Sequence, residues 1–274
     1  MWGGTSHFGV EPMHAGAPLA ESEIILERNF SNEDWAPSFF AERILAEFHE
    51  DNPNWRTDPV LTGAADIEVE PGIDRRLKPF QWNGATDNAQ KRADLFTEIT
   101  RLTELDFERR NREAEIYDQL DFFLDHFSNM LKITPRHYNT HRLMAAADRV
   151  ALTVAMHFKE EWHFARPNQV FPYLVPMIPV PMHSSWPSGH ATEAYLVAEA
   201  LGAAVAVLRA PALVLARRIA ENREVAGVHY REDSDAGMLM AKHVITLLNG
   251  SDEFEELKEK AAEELTETFA HQWP

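Results

Sequence analysis

The chain is predicted to fold as a single all-α domain, a bundle of helices. Three observations predict it. Apolar residues recur at helical spacing over long stretches, no alternating strand pattern of convincing length occurs, and three short polar motifs lie on separate helical stretches that must converge. Helices are expected near 37–50, 88–131 (broken), 137–165, 190–208, 211–226, 233–249 and 252–271. Residues 1–36 and 52–86 carry many Pro, Gly, Asn and Asp and read as extended or wrapping segments. The expected layout is therefore an N-terminal segment, 1–86, with one short helix, and a helical core, 87–274, together forming one domain.

The first motif follows a run from Asn139 to Phe164 without Gly or Pro, in which Leu143, Ala147, Val150, Val154 and Phe158 mark one helical face. Lys159 and Arg166 are seven residues apart, two turns, so both are expected on nearly the same face of that helix. Pro167 is expected to end it, because the residue before a proline is pushed out of the α region. Arg offers a planar fork of donors and Lys a compact charge, and both suit a multiply charged anion.

The second motif, Pro187-Ser188-Gly189-His190, feeds the helix-forming run from Ala191 to Leu201. Ser188 is placed as its N-cap, with Glu193 near a capping-box position. A Gly-containing turn at a helix start presents N–H groups to an anion, and Gly189 would let backbone approach closely.

In the third motif, Asn222-Arg223 is followed by His229 and Asp233. A helix from Pro211 to about Ala226 would end at Gly227, and the next would begin near Asp233-Ser234. His229 then falls on the connection, where Asp233 can hold one ring nitrogen and leave the other for a ligand. The cations Lys159, Arg166, Arg223 and, nearby in sequence, Arg231 are a minority here: 44 acidic residues oppose 26 basic ones, a net charge of −18. That balance argues against nucleic acid and anionic membranes as partners.

Taken together, Lys159 to Arg166-Pro167, Pro187-Ser188-Gly189-His190, and Arg223, His229 and Asp233 resemble the signature of the type 2 phosphatidic acid phosphatase superfamily, which includes bacterial acid phosphatases and vanadium-dependent haloperoxidases. Asn222 stands where that signature usually has Ser. The resemblance covers roughly residues 136–249 and implies a helical bundle of the acid phosphatase/vanadium haloperoxidase type. It implies that Lys159, Arg166 and Arg223 neutralise the oxygens of vanadate or phosphate, assisted by Ser188 and the Gly189 N–H. By the same likeness His190 is the acid–base group, His229 is either a phosphatase nucleophile or the one protein ligand of vanadate, and Asp233 orients it.

His183, seven residues before His190, is similar to a halide-side histidine of brominating algal enzymes, and the run from Gly227 to Gly237 looks like the soluble bacterial haloperoxidase branch. The leading expectation is thus a vanadate-dependent haloperoxidase that uses hydrogen peroxide, a halide (bromide) and a small organic acceptor. The alternative is a soluble acid phosphatase acting on a phosphomonoester through a phosphohistidine, and a binder without turnover comes third. No secretory signal or membrane span is evident, so the expected location is cytoplasmic by default. The absence of cysteine excludes disulfides, and helical relatives suggest a homodimer.

Overall fold

Polar N–H groups exposed at the ends of the helices decide how the outer layer of this protein is tied together. Residues 36–62 and 89–272 are described in the computed structural model, all within one compact unit, Ala36–Pro274. Ten α-helices are present among them: α1 (Pro37–Asp51), α2 (Ala89–Glu104), α3 (Asp106–Asp118), α4 (Phe123–Leu131), α5 (Tyr138–Glu161), α6 (Pro167–Val170), α7 (Gly189–Ala204), α8 (Arg209–Val225), α9 (Arg231–Leu248) and α10 (Asp252–Gln272). No strand occurs among the described residues, so the chain is all-α as the periodicity predicts. The expected wrapping segments fall outside the described residues except for Ala36 and residues 52–62, where Trp55–Thr57 forms a short 3₁₀ turn.

The first free N–H groups of α5 donate to Glu264 on α10, with Asn139 N at 3.0 Å and Thr140 N at 2.9 Å. Those of α10 in turn donate to Glu47 on α1, from Glu253 N at 2.7 Å and Phe254 N at 3.2 Å. A carboxylate at a helix start satisfies orphan donors and complements the dipole, so these contacts join α1, α5 and α10 at their ends.

At the centre lies α7, every residue of which from Ala191 to Gly202 is buried. A helix buried on all sides is mostly apolar or small, and this one is rich in Ala, with Glu193 and Glu199 as its buried acids. It packs against α5, α8 and α9. The apolar face read for α5 is the one it buries, since Leu143, Ala147, Val150, Val154 and Phe158 are all fully enclosed. Each of these side chains larger than Ala147 contributes about 1.5–3 kcal/mol of burial. Gly237 of α9 meets α7 so closely that a Cβ there would lie 2.8 Å from Thr192 N and 3.0 Å from Ser188 O. No helix among the described residues is long and apolar enough to cross a membrane.

One local expectation fails. Helix α5 ends at Glu161, five residues before Arg166, and Pro167 starts α6 rather than ending α5. Trp162 and Phe164 leave the helical path to pack with Trp186, at ring-centroid distances of 6.2 and 6.4 Å. Arg166 is extended (φ −75°, ψ 160°), as a residue before proline prefers, and proline suits the first helical position. Lys159 and Arg166 therefore do not share a helix face; they reach one place from different directions.

Candidate oxyanion site

The site is assembled from the end of α5, the loop 162–187, the start of α7, the end of α8 and the α8–α9 connection. Gly227 makes that connection with φ +78°, after α8 ends at Val225. Its turn puts His229 just before α9, and Asp233 in the first turn of that helix. Ser188 N donates to Asp233 O at 3.0 Å, so the starts of α7 and α9 are tied together.

Asp233 Oδ2 accepts from His229 Nδ1 at 2.9 Å, from Tyr230 N at 3.0 Å and from the Ser185 hydroxyl. A carboxylate can only accept from that ring nitrogen, so the His229 proton sits on Nδ1 and Nε2 carries the lone pair. Arg166 Nη1 points a donor at this lone pair from 3.3 Å. Burial, then the charges of Arg166 and Lys159, hold the imidazole well below its ordinary pKa, so it is neutral. Burial pushes the Asp233 carboxyl up, and its hydrogen bonds from Ser185 and Tyr230 oppose that.

The three expected cations are all buried. Lys159 Nζ donates to the Ser184 and Ser185 carbonyls at 2.8 and 3.0 Å, which leaves one N–H for a ligand. Burial, then Arg166, lower its pKa to about 7, against the pull of Asp233 and Glu193. Arg166 is braced by the carbonyls of Val228, His183 and Ser184. Arg223 Nη2 donates to Ile116 O at 2.9 Å, while its Nε and Nη1 are buried without a partner among the described residues. An unsatisfied buried donor costs about 1–3 kcal/mol, so those two nitrogens are where an oxyanion would repay a deficit.

Ser188 caps α7 as expected, its hydroxyl oxygen accepting from Ala191 N at 3.4 Å, and its own proton remains free to donate elsewhere. A Cβ at Gly189 would meet Lys159 Cε only at 3.9 Å. The protein's own packing thus does not demand glycine there, and the space a side chain would fill lies on the lysine side. Glu193 is not a capping residue: it is buried, with Oε2 3.8 Å from His190 Nδ1. Burial, then Asp148, raise its pKa to about 8.

His190 Nε2 lies 3.0 Å from Gln119 O, so that nitrogen bears a proton and Nδ1 is bare. Burial, then Arg223, lower its pKa to about 4. His183 is exposed and places Nδ1 3.2 Å from Arg166 Nη2. Arg231 stays out of the cradle and pairs with Asp235 at the surface. The cradle is cationic and its bare nitrogens, His229 Nε2 and His190 Nδ1, belong to neutral imidazoles, so the group it fits is an oxyanion rather than a bare cation.

Two residues escaped the sequence reading. Gln119 holds His190 through its carbonyl, while its side-chain oxygen accepts from Asn222 Nδ2 at 2.9 Å and Arg223 Nη2 at 3.4 Å. Asn222, in place of the usual Ser, therefore positions Gln119, and it also accepts from Arg112 at 3.3 Å. Ser185 was the other; nothing in its neighbourhood of sequence points toward Asp233, 48 positions away.

No protein-family model and no curated protein match this chain. Among solved structures it is similar to a transmembrane PAP2 type phosphatidylglycerolphosphate phosphatase from Bacillus subtilis, with 17% identity over 81% of this chain and 97% of that one. The TM-score is 0.37, too loose an overlap to carry functional weight.

Proposed function

We propose that this protein is a phosphohydrolase that acts on phosphomonoesters through a phosphohistidine at His229. One observation carries the reading: His229 presents a bare, neutral Nε2 while Asp233 holds Nδ1–H and Arg166 flanks the lone pair. In the first step Nε2 attacks phosphorus and the bond from phosphorus to the ester oxygen breaks; His190, whose bare Nδ1 takes up a proton from solvent when the substrate's negative charge is bound beside it, gives that proton to the departing alkoxide. In the second step water attacks phosphorus, the P–N bond breaks, His190 takes the water proton, and phosphate leaves. Lys159, Arg166 and Arg223 offset the charge on the non-bridging oxygens throughout. Apart from water and a solvent proton, these steps draw on side chains of this chain.

Purified protein should release p-nitrophenol from p-nitrophenyl phosphate without any addition, and orthovanadate should inhibit competitively. Absence of turnover across a panel of phosphomonoesters would overturn the reading.

One contact favours a second reading. His183 touches Arg166 at the outer edge of the cradle, where a halide or peroxide would arrive. Vanadate fits the same donors, including the orphaned nitrogens of Arg223, with Lys159 and Arg166 on its oxygens and His229 as its one protein ligand. When bound it would act as a Lewis acid that activates hydrogen peroxide toward bromide. Under this reading vanadate-loaded protein brominates a phenolic dye, and His183→Ala lowers that rate several-fold while leaving vanadate affinity within about twofold.

A further inference from the structure

A cavity of about 660 Å³ opens beside Lys159. Its walls include Trp55 and Arg56 from the 3₁₀ turn after α1, Met156 and His157 from α5, and His183 from the loop. This volume is that of a small-molecule pocket. We infer that the cavity is the leaving-group pocket of the proposed hydrolase and that it takes an aromatic ring, so the substrates are aryl phosphates. This rests on the phosphomonoester reading and adds the class of ester to it.

The walls are flat and polarizable rather than aliphatic. The Trp55 and His157 rings meet edge to face with centroids 5.1 Å apart, and the Arg56 guanidinium lies over the Trp55 ring at 4.6 Å. Met156, 39% exposed, lines the cavity next to His157 on α5. Aromatic edges, a stacked guanidinium and a thioether all suit a π-face. A polyanionic leaving group suits the cavity less well. Burial lowers the pKa of both His157 and His183, Glu160 contributes a carboxylate to the lining, and Lys159 belongs to the oxyanion side.

Phosphonates separate binding from turnover, because a C–P bond is not cleaved by this chemistry. Calorimetry should show phenylphosphonate binding the intact protein at least about tenfold tighter than methylphosphonate, a difference of about 1.4 kcal/mol. Met156→Asp, at a part-exposed position, should shrink that preference to within about twofold, the added charge weakening both phosphonates but phenylphosphonate far more. Arg56→Ala should weaken phenylphosphonate alone, by about threefold. Equal binding of the two phosphonates by the unaltered protein, or full preference surviving in Met156→Asp, overturns the aromatic pocket and leaves the oxyanion site standing. Binding of neither phosphonate removes both.

Discussion

The imidazole Nε2 of His229 lies 3.3 Å from Nη1 of Arg166, across a gap of 63 residues in the chain. The guanidinium does not merely approach the ring. It fixes which nitrogen has the lone pair, because Asp233 already takes the proton of the other. The same cation helps keep the ring uncharged. His229, Asp233 and Arg166 are therefore one hydrogen-bonded unit.

Removing the proposed nucleophile tests that unit directly. His229→Ala should lower kcat on an aryl phosphate by about three orders of magnitude or more. The helical circular dichroism should persist, since the side chain lies in a connection between helices. A variant that keeps a tenth of the activity would place the reacting atom elsewhere.

Asp233→Asn keeps shape and loses charge. The amide can donate to Nδ1, which would move the ring proton to Nε2 and block the lone pair. The expected loss in kcat is about 10²–10⁴, with KM little altered. Ring-nitrogen chemical shifts measured by NMR should report the changed tautomer.

Lys159 sets a pH dependence. Its pKa of about 7, held down by burial and Arg166, means that the ammonium is present below neutrality and is lost as pH rises. An anion prefers the charged form, so sulfate, which stays a dianion across this range, should bind less tightly as pH rises from 6 to 9. The anion should also push the lysine pKa upward, so the inflection in affinity moves above 7 in the complex. Lys159→Met should weaken binding at pH 6 and flatten the profile; an unchanged slope would remove Lys159 from the site.

Packing at the cradle is testable at Gly237. Alanine has the better helix propensity, by about 1 kcal/mol. Here, however, its Cβ would press on backbone atoms of Ser188 and Thr192, which cannot swing aside. Gly237→Ala should therefore cost about 1–3 kcal/mol in urea unfolding and displace Ser188 from Asp233. Activity should fall with stability. A stabilised, fully active variant would show that α9 does not depend on this close approach.

Much of the site was legible because its parts are local. Ser188 at the head of α7 and Gly227 past the end of α8 act within a turn of their own positions, so type and spacing reveal them. Lys159 and Arg166 show the limit of that logic. A 7-residue spacing suggests one helix face, yet Trp162 and Phe164 gain more by packing on Trp186 than by continuing α5. Gln119 and Ser185 carry no motif, and Glu193 looked like a cap because its depth depends on α5 and α7 meeting.

By itself, then, the order of residues determined the helices, the buried face of α5, the cap of α7 and the set of side chains proposed to grip an oxyanion. Periodicity and capping are short-range effects, written over a few turns of chain. Tertiary structure alone decided that Arg166 arrives on an extended strap, that Asn222 serves Gln119, and that Trp55 and Met156 open a cavity next to Lys159. Those outcomes depend on which distant surfaces bury together, and burial is a property of the packed molecule rather than of any local run of residues.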